Sequence, residues 1–414
     1  MIYKKRILVL GGGYGGTYTF KHLHKSFKNN SGVELRLISK TNYFVSTPFL
    51  HEVATGNIDP EHVAEPLRKI FPGPEEFQLA DVKAISLKDK KVETNEGVIA
   101  YDYLIMALGA ETNYRNTPGA REHTLALKTL EDAIKLKNHF ISTFDQAANL
   151  HNEEEIRKKL RFVVIGGGAT GVELVSEMSD FLYSSLGTYY TKNFIAHISI
   201  ILVHAGDDLL PNFSHNIRLA SKKVLRKKKI EIKFGLQVIE VRPGALVLNN
   251  GEVIESDTII WAAGVSPSSV SVTPSVERER GRIIVNQFFQ IPSYPEVFVL
   301  GDQAAFRNVG DSAALPMLAQ VAHKQADAVA RNVARIVEGK LPMPYTYKHL
   351  GDLVSLGEWV AAGELFGIKI FGHVAWFFWR GVYLSKLLSP TKKVKVLLDW
   401  LLNLFAPRDI SAIN

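Results

Sequence analysis

Residues 6–16, Arg-Ile-Leu-Val-Leu-Gly-Gly-Gly-Tyr-Gly-Gly, decide the fold of this chain. A short apolar run leads directly into glycines that fit the pattern G-x-G-x-x-G, and helix-like sequence follows. Such a run is typical of a parallel strand that helices cover on both faces. The glycines let the backbone turn tightly and approach a pyrophosphate, which the amides at the start of the helix bind. This first fingerprint, residues 11–16, therefore predicts a Rossmann-like dinucleotide site.

The same arrangement returns at residues 161–171, Arg-Phe-Val-Val-Ile-Gly-Gly-Gly-Ala-Thr-Gly. One such motif is weak evidence, because glycine turns also occur in purely structural strand-to-helix loops. Two in one chain are far more specific. The second fingerprint, residues 166–171, therefore indicates a flavoprotein with FAD at the first site and a nicotinamide nucleotide at the second.

The remaining apolar runs complete an α/β fold with two Rossmann-like domains, the second inserted in the first. Strands are predicted at 33–39, 101–107, 197–203, 230–234, 238–241, 245–248, 258–262 and 297–300, and helices at 128–144 and 153–160. We therefore predict an FAD-binding domain at 1–120 and 285–345, an NAD(P)H-binding domain at 121–284, and a membrane-associating region at 346–414.

Composition limits the chemistry of the chain. Its 414 residues carry a net charge of +7 and no cysteine, which excludes disulfides, thiolate metal sites and redox-active thiols. No metal site is expected. The start of the chain runs straight into a strand, so we expect no signal peptide, and no apolar stretch is long enough for a transmembrane helix.

Both fingerprints lack the acid that usually binds the adenosine ribose about 20 residues further on. In the first Rossmann-like domain, the second strand ends in Ser39 and Lys40. Ser39 can hydrogen-bond a ribose hydroxyl, and Lys40 can approach the pyrophosphate. In the second Rossmann-like domain, the second strand ends in His204, which does not repel a 2′-phosphate as an acid would. We expect NADH as donor, with NADPH use open; a purely structural role for His204 is the alternative.

Further motifs carry a family resemblance. They are residues 50–56 (Leu-His-Glu-Val-Ala-Thr-Gly), 102–109 (Asp-Tyr-Leu-Ile-Met-Ala-Leu-Gly), 167–174 (Gly-Gly-Ala-Thr-Gly-Val-Glu-Leu), 261–265 (Trp-Ala-Ala-Gly-Val), 297–302 (Val-Phe-Val-Leu-Gly-Asp), 316–325 with its Ala-Gln pair, and the ending 399–409. Together they resemble the type II NADH dehydrogenases, the single-subunit, non-pumping NADH:quinone oxidoreductases, over nearly the whole chain. The resemblance implies a ping-pong reaction, in which NADH reduces a non-covalent FAD and a membrane quinone then accepts two electrons.

The resemblance also implies site residues. For FAD they are Gly11, Gly12, Gly13, Tyr14, Gly15, Gly16, Ser39, Lys40, Val82, Ala107, Leu108, Gly109, Gly301, Asp302, Ala319 and Gln320. For NADH they are Gly167, Gly168, Ala169, Thr170, Gly171, Glu173, His204, Ala263 and Gly264. For quinone they are Gln320, His323 and Lys386. Glu173 and Gln320 are implied as catalytic, between the nicotinamide and quinone sites. As alternatives, Glu173 is a surface acid in the first turn of its helix, and His323 is structural.

The last residues, 364–414, combine many aromatic side chains with a basic excess of +4, the difference between seven basic and three acidic residues. Residues 394–405 predict a helix with a narrow polar stripe, Lys395, Asp399 and Asn403. With Trp376, Phe377, Phe378 and Trp379 as an interfacial layer, we expect a helical hairpin broken at Pro390 that lies on the cytoplasmic face of the membrane. A core or dimer-packing helix is the alternative, and a homodimer is possible.

Competing functions remain. A sulfide:quinone oxidoreductase needs cysteine sulfur, and the chain has none. A soluble NAD(P)H-dependent reductase and a non-catalytic nucleotide sensor stay open. The basic cluster at 222–229 lacks the stacking aromatics of a nucleic-acid site, so no nucleic acid is expected.

Overall fold

The computed structural model describes residues 4–28 and 30–412. Residues 1–3, 29, 413 and 414 lie outside this part, and they include the start of the chain and the end of the predicted membrane-associating region. The described residues cluster into two compact units. The first holds the residues up to Val45, Ala64–Glu111 and Val265–His349, and the second holds Ser46–Val63, Thr112–Gly264 and the residues from Leu350.

The first unit is built around a parallel sheet with one antiparallel edge strand. In spatial order its strands are Gln290–Ile291, Tyr294–Val299, Tyr103–Met106, Lys5–Leu10, Val33–Ser39 and Phe77–Leu79. Residues 7–10 are fully buried, as the apolar run predicts. The strand order reverses beside Lys5–Leu10, and ligands of such sheets bind at this point, beyond the carboxyl ends of the strands.

The second unit repeats this plan with an all-parallel sheet. Its strands in order are Leu125–Ala126, Thr258–Trp261, Arg161–Ile165, Ser199–His204 and Ile230–Phe234. The order reverses between Thr258–Trp261 and Arg161–Ile165, the strand that precedes the second fingerprint. The predicted strands on both sides of each fingerprint are therefore confirmed, within a few residues at their ends.

Smaller strands and the helices complete the two units. The first unit contains strands Tyr43–Val45, Ala64–Pro66, Val82–Ser86, Lys91–Thr94, Gly97–Ala100, Ser271–Thr273, Arg278–Glu279, Arg282–Ile284 and Ala304–Ala305, and helices Tyr14–Phe27, Leu67–Ile70 and Ala319–Val337. The second contains strands Val238–Arg242, Ala245–Leu248 and Val253–Glu255, and helices Leu50–Val53, Pro60–Val63, Ala120–His123, Leu130–Ala148, Glu153–Lys159, Ala169–Asp180, Lys192–Ile195 and His215–Lys227. Strands Ala110–Thr112 and Val265–Pro267 lie where the chain passes from one unit to the other.

The unit boundaries differ from the predicted domain boundaries. Residues 265–284 cluster with the first unit because Ser271–Thr273 pairs with Val82–Ser86 and Arg282–Ile284 pairs with Ala304–Ala305. Residues 46–63 and the carboxyl-terminal region cluster with the second unit. The carboxyl-terminal region is therefore part of that unit's packing.

The carboxyl-terminal region begins as a sheet, so the expected helical hairpin occupies only the part of residues 364–414 from Gly372 onwards. The strands of the sheet are Gly351–Ser355, Ala361–Leu365 and Ile368–Phe371. Phe366 and Gly367 form the two-residue turn of the second hairpin, and both have positive φ, which matches the twist of antiparallel strands.

Two helices follow, which we call the aromatic helix (Gly372–Ser385) and the leucine helix (Pro390–Leu402). The predicted break at Pro390 is confirmed: this residue opens the second helix, and the Ser389 hydroxyl accepts from the Lys392 N–H. In the part of the chain that the structure describes, no helix combines the length and apolar character needed to cross a bilayer.

The two helices bury faces that the sequence assigns to the membrane. Trp376 and Trp379 are 5% and 1% exposed, whereas Phe377 and Phe378 are 60% and 52% exposed. The indoles pack inwards because consecutive helical residues point about 100° apart, so an aromatic run cannot all face one medium.

Two residues of the polar stripe of the leucine helix, Asp399 and Asn403, also face the protein, whereas Lys395 is exposed. Asp399 Oδ2 lies 2.6 Å from His62 Nδ1, and Asn403 Nδ2 donates to the Asn57 carbonyl at 2.8 Å. Val396 and Trp400 of the apolar face are buried as well, and the apolar side chains that remain exposed on this helix are Val394, Leu397, Leu398, Leu401 and Leu402.

Candidate functional site

The first fingerprint packs so closely that only glycine fits at two of its positions. Gly11 has φ +105°, and a Cβ there would overlap the Ala107 carbonyl oxygen. A Cβ at Gly16 would overlap the carbonyl oxygen of Gly11. This contact brings the helix Tyr14–Phe27 against the end of its strand, as the third glycine of a dinucleotide fingerprint does.

The other end of this turn is an open cradle. Gly13 is the N-cap of the helix, it has no side chain to cap the helical amides, and a Cβ there would meet nothing within 4 Å. The first turn holds no acid. Free amides and the positive end of the helix dipole suit a pyrophosphate, so the residues fit the FAD that the sequence implies.

The other residues implied for FAD all lie in the first unit. Ser39 is 4% exposed, and its Oγ accepts from the Thr41 N–H at 3.2 Å. Lys40 is exposed, and Val82 and Leu108 pack against the core of this unit. Gly301 has φ +67° and donates its N–H to Gln325 Oε1 at 2.7 Å, which fixes the turn that carries Asp302. Ala107 and Gly109 follow the strand Tyr103–Met106.

The helix Ala319–Val337 opens with Ala319 and Gln320, as the sequence predicts. His323 follows three residues after Gln320 on the same face. Its ring lies edge-on to Tyr18, with 4.2 Å between centroids. This contact with Tyr18 is compatible with both alternatives for His323, a structural role and a role in binding quinone.

The second fingerprint has the same geometry as the first. A Cβ at Gly166 (φ +118°) would overlap the Ala262 carbonyl oxygen, and one at Gly171 would overlap the Gly166 carbonyl oxygen. Gly168 is the N-cap of the helix Ala169–Asp180, and a Cβ there would meet nothing within 4 Å. Ala169 and Thr170 form its first turn, so the second unit also offers a cradle for an anion.

His204 lies at the end of its strand and contacts the second fingerprint directly. Its Nδ1 lies 3.1 Å from the backbone nitrogen of Gly167, which donates to it. The ring proton of the neutral form must therefore lie on Nε2. Burial lowers the pKa of His204, which keeps the ring neutral near pH 7. Ala263 and Gly264 follow the strand Thr258–Trp261, which pairs with the strand that precedes the second fingerprint. Arg115 Nε donates to the Ala263 carbonyl at 2.9 Å.

Glu173 is the fifth residue of its helix, so the prediction that it lies in the first turn is wrong. The side chain is 14% exposed, and its Oε1 accepts from the Ser355 N–H at 3.1 Å. Its Oε2 lies 4.0 Å from His51 Nδ1. Burial, together with smaller contributions from the nearby acids Glu52 and Glu177, raises the pKa of Glu173 to about 8, against the hydrogen bond from Ser355, which lowers it. This carboxyl can hold a proton at neutral pH.

Sequence reasoning missed the buried ionic cluster around Glu173. We define this acid cluster as Glu52, Glu173 and Glu177 with His51, Arg380 and Arg408. Glu52 is 1% exposed and accepts from Trp400 Nε1 at 2.6 Å and from Asn57 Nδ2 at 2.9 Å. Burial raises the pKa of Glu52 to about 7.

Two arginines balance the charge of the acid cluster. Arg408 Nη2 donates to Glu177 Oε2 at 2.9 Å. The Arg380 guanidinium lies 3.8 Å and 4.3 Å from the ring centroids of Trp376 and Trp400. Atoms of His51, Glu52 and Glu177 lie within 4.8 Å of one another, close enough for a metal. The guanidinium groups already offset the carboxylates and oppose a further cation.

Two signals in the sequence pointed to the acid cluster. Glu173 and Glu177 are four residues apart, so they share a helix face, and two arginines, Arg380 and Arg408, lie among the aromatic and apolar residues of the carboxyl-terminal region. Neither signal says that these groups meet, because residues 50–57, the helix Ala169–Asp180 and the last segment are far apart in sequence. Lys386, implied for quinone, is the C-cap of the aromatic helix, and its Nζ lies over the Tyr383 ring, 5.1 Å from the centroid.

Comparison with known proteins agrees with this geometry. Residues 5–326 match the family described as pyridine nucleotide-disulphide oxidoreductase, and residues 349–409 match the NDH2 C-terminal domain. The chain is 31% identical to a type II NADH:quinone oxidoreductase of Staphylococcus aureus, over 90% of this chain and 93% of that protein. It is 29% identical to the internal alternative NAD(P)H-ubiquinone oxidoreductase A1, mitochondrial, of Solanum tuberosum, over 99% of this chain and 88% of that protein.

Solved structures share the fold. NDH2 from Plasmodium falciparum in complex with NADH superposes with a TM-score of 0.91, at 20% identity and over 99% of this chain and 100% of that one. The sulfide:quinone oxidoreductase of Aquifex aeolicus gives 0.74, at 19% identity and over 97% and 96%. From the family match and the Staphylococcus relative together, the chain belongs to the pyridine nucleotide-disulphide oxidoreductases and, within them, to the type II NADH:quinone oxidoreductases.

Proposed function

We propose that this chain oxidises NADH and reduces a membrane quinone, with FAD as its bound cofactor. The observation that carries this proposal is the pair of open glycine cradles, one at the topological switch point of each unit, in a chain whose carboxyl-terminal region matches the NDH2 C-terminal domain. When bound, FAD supplies a two-electron carrier that accepts hydride from NADH and passes the electrons to quinone.

The residues of the first fingerprint, with Ser39, Lys40, Val82, Ala107–Gly109, Gly301, Asp302 and Ala319, are our assignment for FAD. The free amides after Gly13 bind the pyrophosphate, and Asp302 bonds the ribityl chain. The chain has no cysteine for a thioether link, which supports non-covalent binding.

For NADH we assign residues 167–171, His204, Ala263 and Gly264. The neutral His204 leaves the adenosine ribose without an acid to repel a 2′-phosphate, so NADPH is a second donor. A relative carries NAD(P)H in its name, which supports this reading.

Glu173 and Gln320 are our catalytic assignments, with His323 and Lys386 toward quinone. Reduction of a quinone consumes two protons, and a carboxyl with a pKa of about 8 holds one at neutral pH. Gln320 offers an amide near the start of its helix that can bond a quinone carbonyl.

The aromatic and leucine helices, with the hairpin before them, form our proposed membrane surface on the cytoplasmic face. Five of its side chains are prominent, with exposed fractions of 80% for Phe366, 60% for Phe377, 52% for Phe378, 65% for Leu402 and 89% for Phe405. Exposed apolar groups of this size, flanked by lysines, suit the interfacial layer of an anionic bilayer.

A single assay tests the proposed reaction. Detergent-purified protein is expected to be yellow, to release its flavin on acid precipitation, and to oxidise NADH rapidly only when a short-chain quinone is added. Oxidation that proceeds equally without quinone, or that needs a protein acceptor, would favour the soluble reductase. Flavin that is not reduced by NADH under anaerobic conditions would favour the non-catalytic sensor.

A further inference from the structure

Arg408 lies at the end of the described chain, yet it is one of the most deeply buried charges in the second unit. Its side chain is 2% exposed. Nη2 donates to Glu177 Oε2 at 2.9 Å and to Glu358 Oε1 at 2.8 Å, and Nη1 donates to the Thr55 carbonyl at 3.3 Å. A single guanidinium thus joins three separate segments of the chain.

Glu177 is the partner that links Arg408 to the proposed chemistry. It is 1% exposed and lies one helical turn after Glu173, on the same face of the helix Ala169–Asp180. Burial opposes the ionisation of Glu177, but Arg408 offsets this and holds its pKa below the usual range. A buried carboxylate is stable only when a partner and hydrogen bonds compensate it.

We propose that Arg408 is a positioning residue of the reaction: its ion pair keeps Glu177 charged, and that charge adds to burial in keeping Glu173 protonated. The proposal rests on the proposed function in its claim that Glu173 serves quinone reduction. It assigns the last segment of the chain a role in the site that is separate from membrane binding.

The groups that face the two acids come from every element packed around them. They are His51 and Glu52 from the helix Leu50–Val53, Asp180 from the acids' own helix, Lys228 after the helix His215–Lys227, Glu358 from the turn before Ala361–Leu365, Arg380 from the aromatic helix, and Arg408. Burial lowers the pKa of His51 to about 4, so it is neutral above that pH. Lys228 pairs with Asp180.

Arg408 therefore determines how many negative charges Glu173 meets. Without it, Glu177 takes up a proton and its repulsion of Glu173 disappears. The proton on Glu173 is then lost at lower pH, by less than about one unit, because the loss of the Arg408 cation itself opposes part of the shift. Arg408→Lys keeps the charge but not the planar fork, so its effect is expected to be smaller.

The test is a pH titration of carboxyl bands by infrared difference spectroscopy on the full-length flavoprotein. The band that Glu173→Gln removes identifies Glu173. Glu177→Gln is expected to shift its titration about one unit lower, and Arg408→Met is expected to shift it in the same direction by less, because the lost cation opposes part of the change. Arg242→Met is the matched control, because Arg242 forms an ion pair with Glu240 on the exposed surface of the same unit. The alkaline limb of quinone reduction is expected to move with the band.

The outcomes separate the two proposals. The infrared titration needs no turnover, so an unmoved Glu173 band in Arg408→Met or in Glu177→Gln overturns the positioning role even in an active enzyme. If Arg408→Met does not fold, Glu177→Gln decides, since its amide oxygen still accepts from Arg408. A shifted band in a protein that never reduces quinone leaves the positioning of Glu173 in place and refutes the proposed function.

Discussion

At the scale of single residues, we propose that His204 determines whether the second unit prefers NADH or NADPH. The ring accepts from the Gly167 amide and stays neutral, so it contributes no repulsion toward a 2′-phosphate. His204→Glu is expected to raise the preference for NADH over NADPH by about 1–3 kcal/mol, since one fixed negative charge then faces the phosphate. The measurement is the ratio of kcat/KM for the two donors; His204→Gln, which keeps the site neutral, serves as control. An unchanged ratio in His204→Glu would move the selectivity elsewhere.

The titration of the Glu173 carboxyl is expected to make the free energy of unfolding depend on pH. Its folded pKa of about 8 lies above that of an unfolded glutamate, so the folded state binds the extra proton. The stabilisation that this proton gives to the folded state is fully present below about pH 4.5 and is lost as pH rises through 8. Glu173→Gln cannot ionise, so the variant is expected to be more stable than the wild type at pH 8, by up to about 4 kcal/mol.

The melting temperature measured from pH 5 to pH 8.5 checks this sign. The difference between variant and wild type is expected to grow with pH. A constant difference would mean that Glu173 is already ionised throughout this range.

At the scale of elements, two glycines of the second fingerprint are expected to serve different purposes: Gly168 serves nucleotide binding, and Gly171 serves folding. A Cβ at Gly168 meets nothing within 4 Å, whereas one at Gly171 overlaps the Gly166 carbonyl oxygen. Gly168→Ala is therefore expected to raise KM for NADH severalfold with little change in melting temperature, because the methyl group enters the cradle and not the core. Gly171→Ala is expected to lower the melting temperature by several degrees, since the helix must move off the strand. Equal melting temperatures for the two variants would contradict this division.

The same elements show what the sequence can predict. Strands at 6–10 and 161–165 were predictable because buried parallel strands require an unbroken apolar run before a glycine turn. The sheet at 351–371 was not, because short strands rich in glycine carry little periodicity. The acid cluster was not predictable either: Glu177 and Arg408 are 231 residues apart, and only tertiary packing brings them together.

At the scale of the whole molecule, we propose that the exposed face of the leucine helix binds the membrane, and substitutions there are expected to weaken this binding without unfolding the protein. A chain that ends at Leu365 would lose the buried Trp400 and Arg408 together with the surface, so its insolubility would say nothing about lipid. Leu401→Gln, Leu402→Gln and Phe405→Gln in combination replace exposed side chains only. This variant is expected to bind anionic vesicles at least tenfold more weakly, since each apolar group contributes about 1–2 kcal/mol when inserted.

The assays are vesicle sedimentation and anaerobic reduction of the flavin by NADH, which is expected to stay unchanged. Ile239→Gln with Val253→Gln is the matched control, because both residues are exposed on the small antiparallel sheet of the same unit. Vesicle binding that persists in the leucine-helix variant places the anchor on another surface.

The packing of the indoles gives the chain an optical reporter of its own. Four of the five tryptophans, 359, 376, 379 and 400, belong to the carboxyl-terminal region, and Trp359 stacks on Trp376 with 4.7 Å between centroids. Trp376 and Trp400 also enclose the Arg380 cation. Intrinsic fluorescence therefore reports almost entirely on this one region. If the carboxyl-terminal region detached from the rest of the second unit, the emission spectrum would change without any added dye. The packing of this region can therefore be followed in real time as lipid or nucleotide is added.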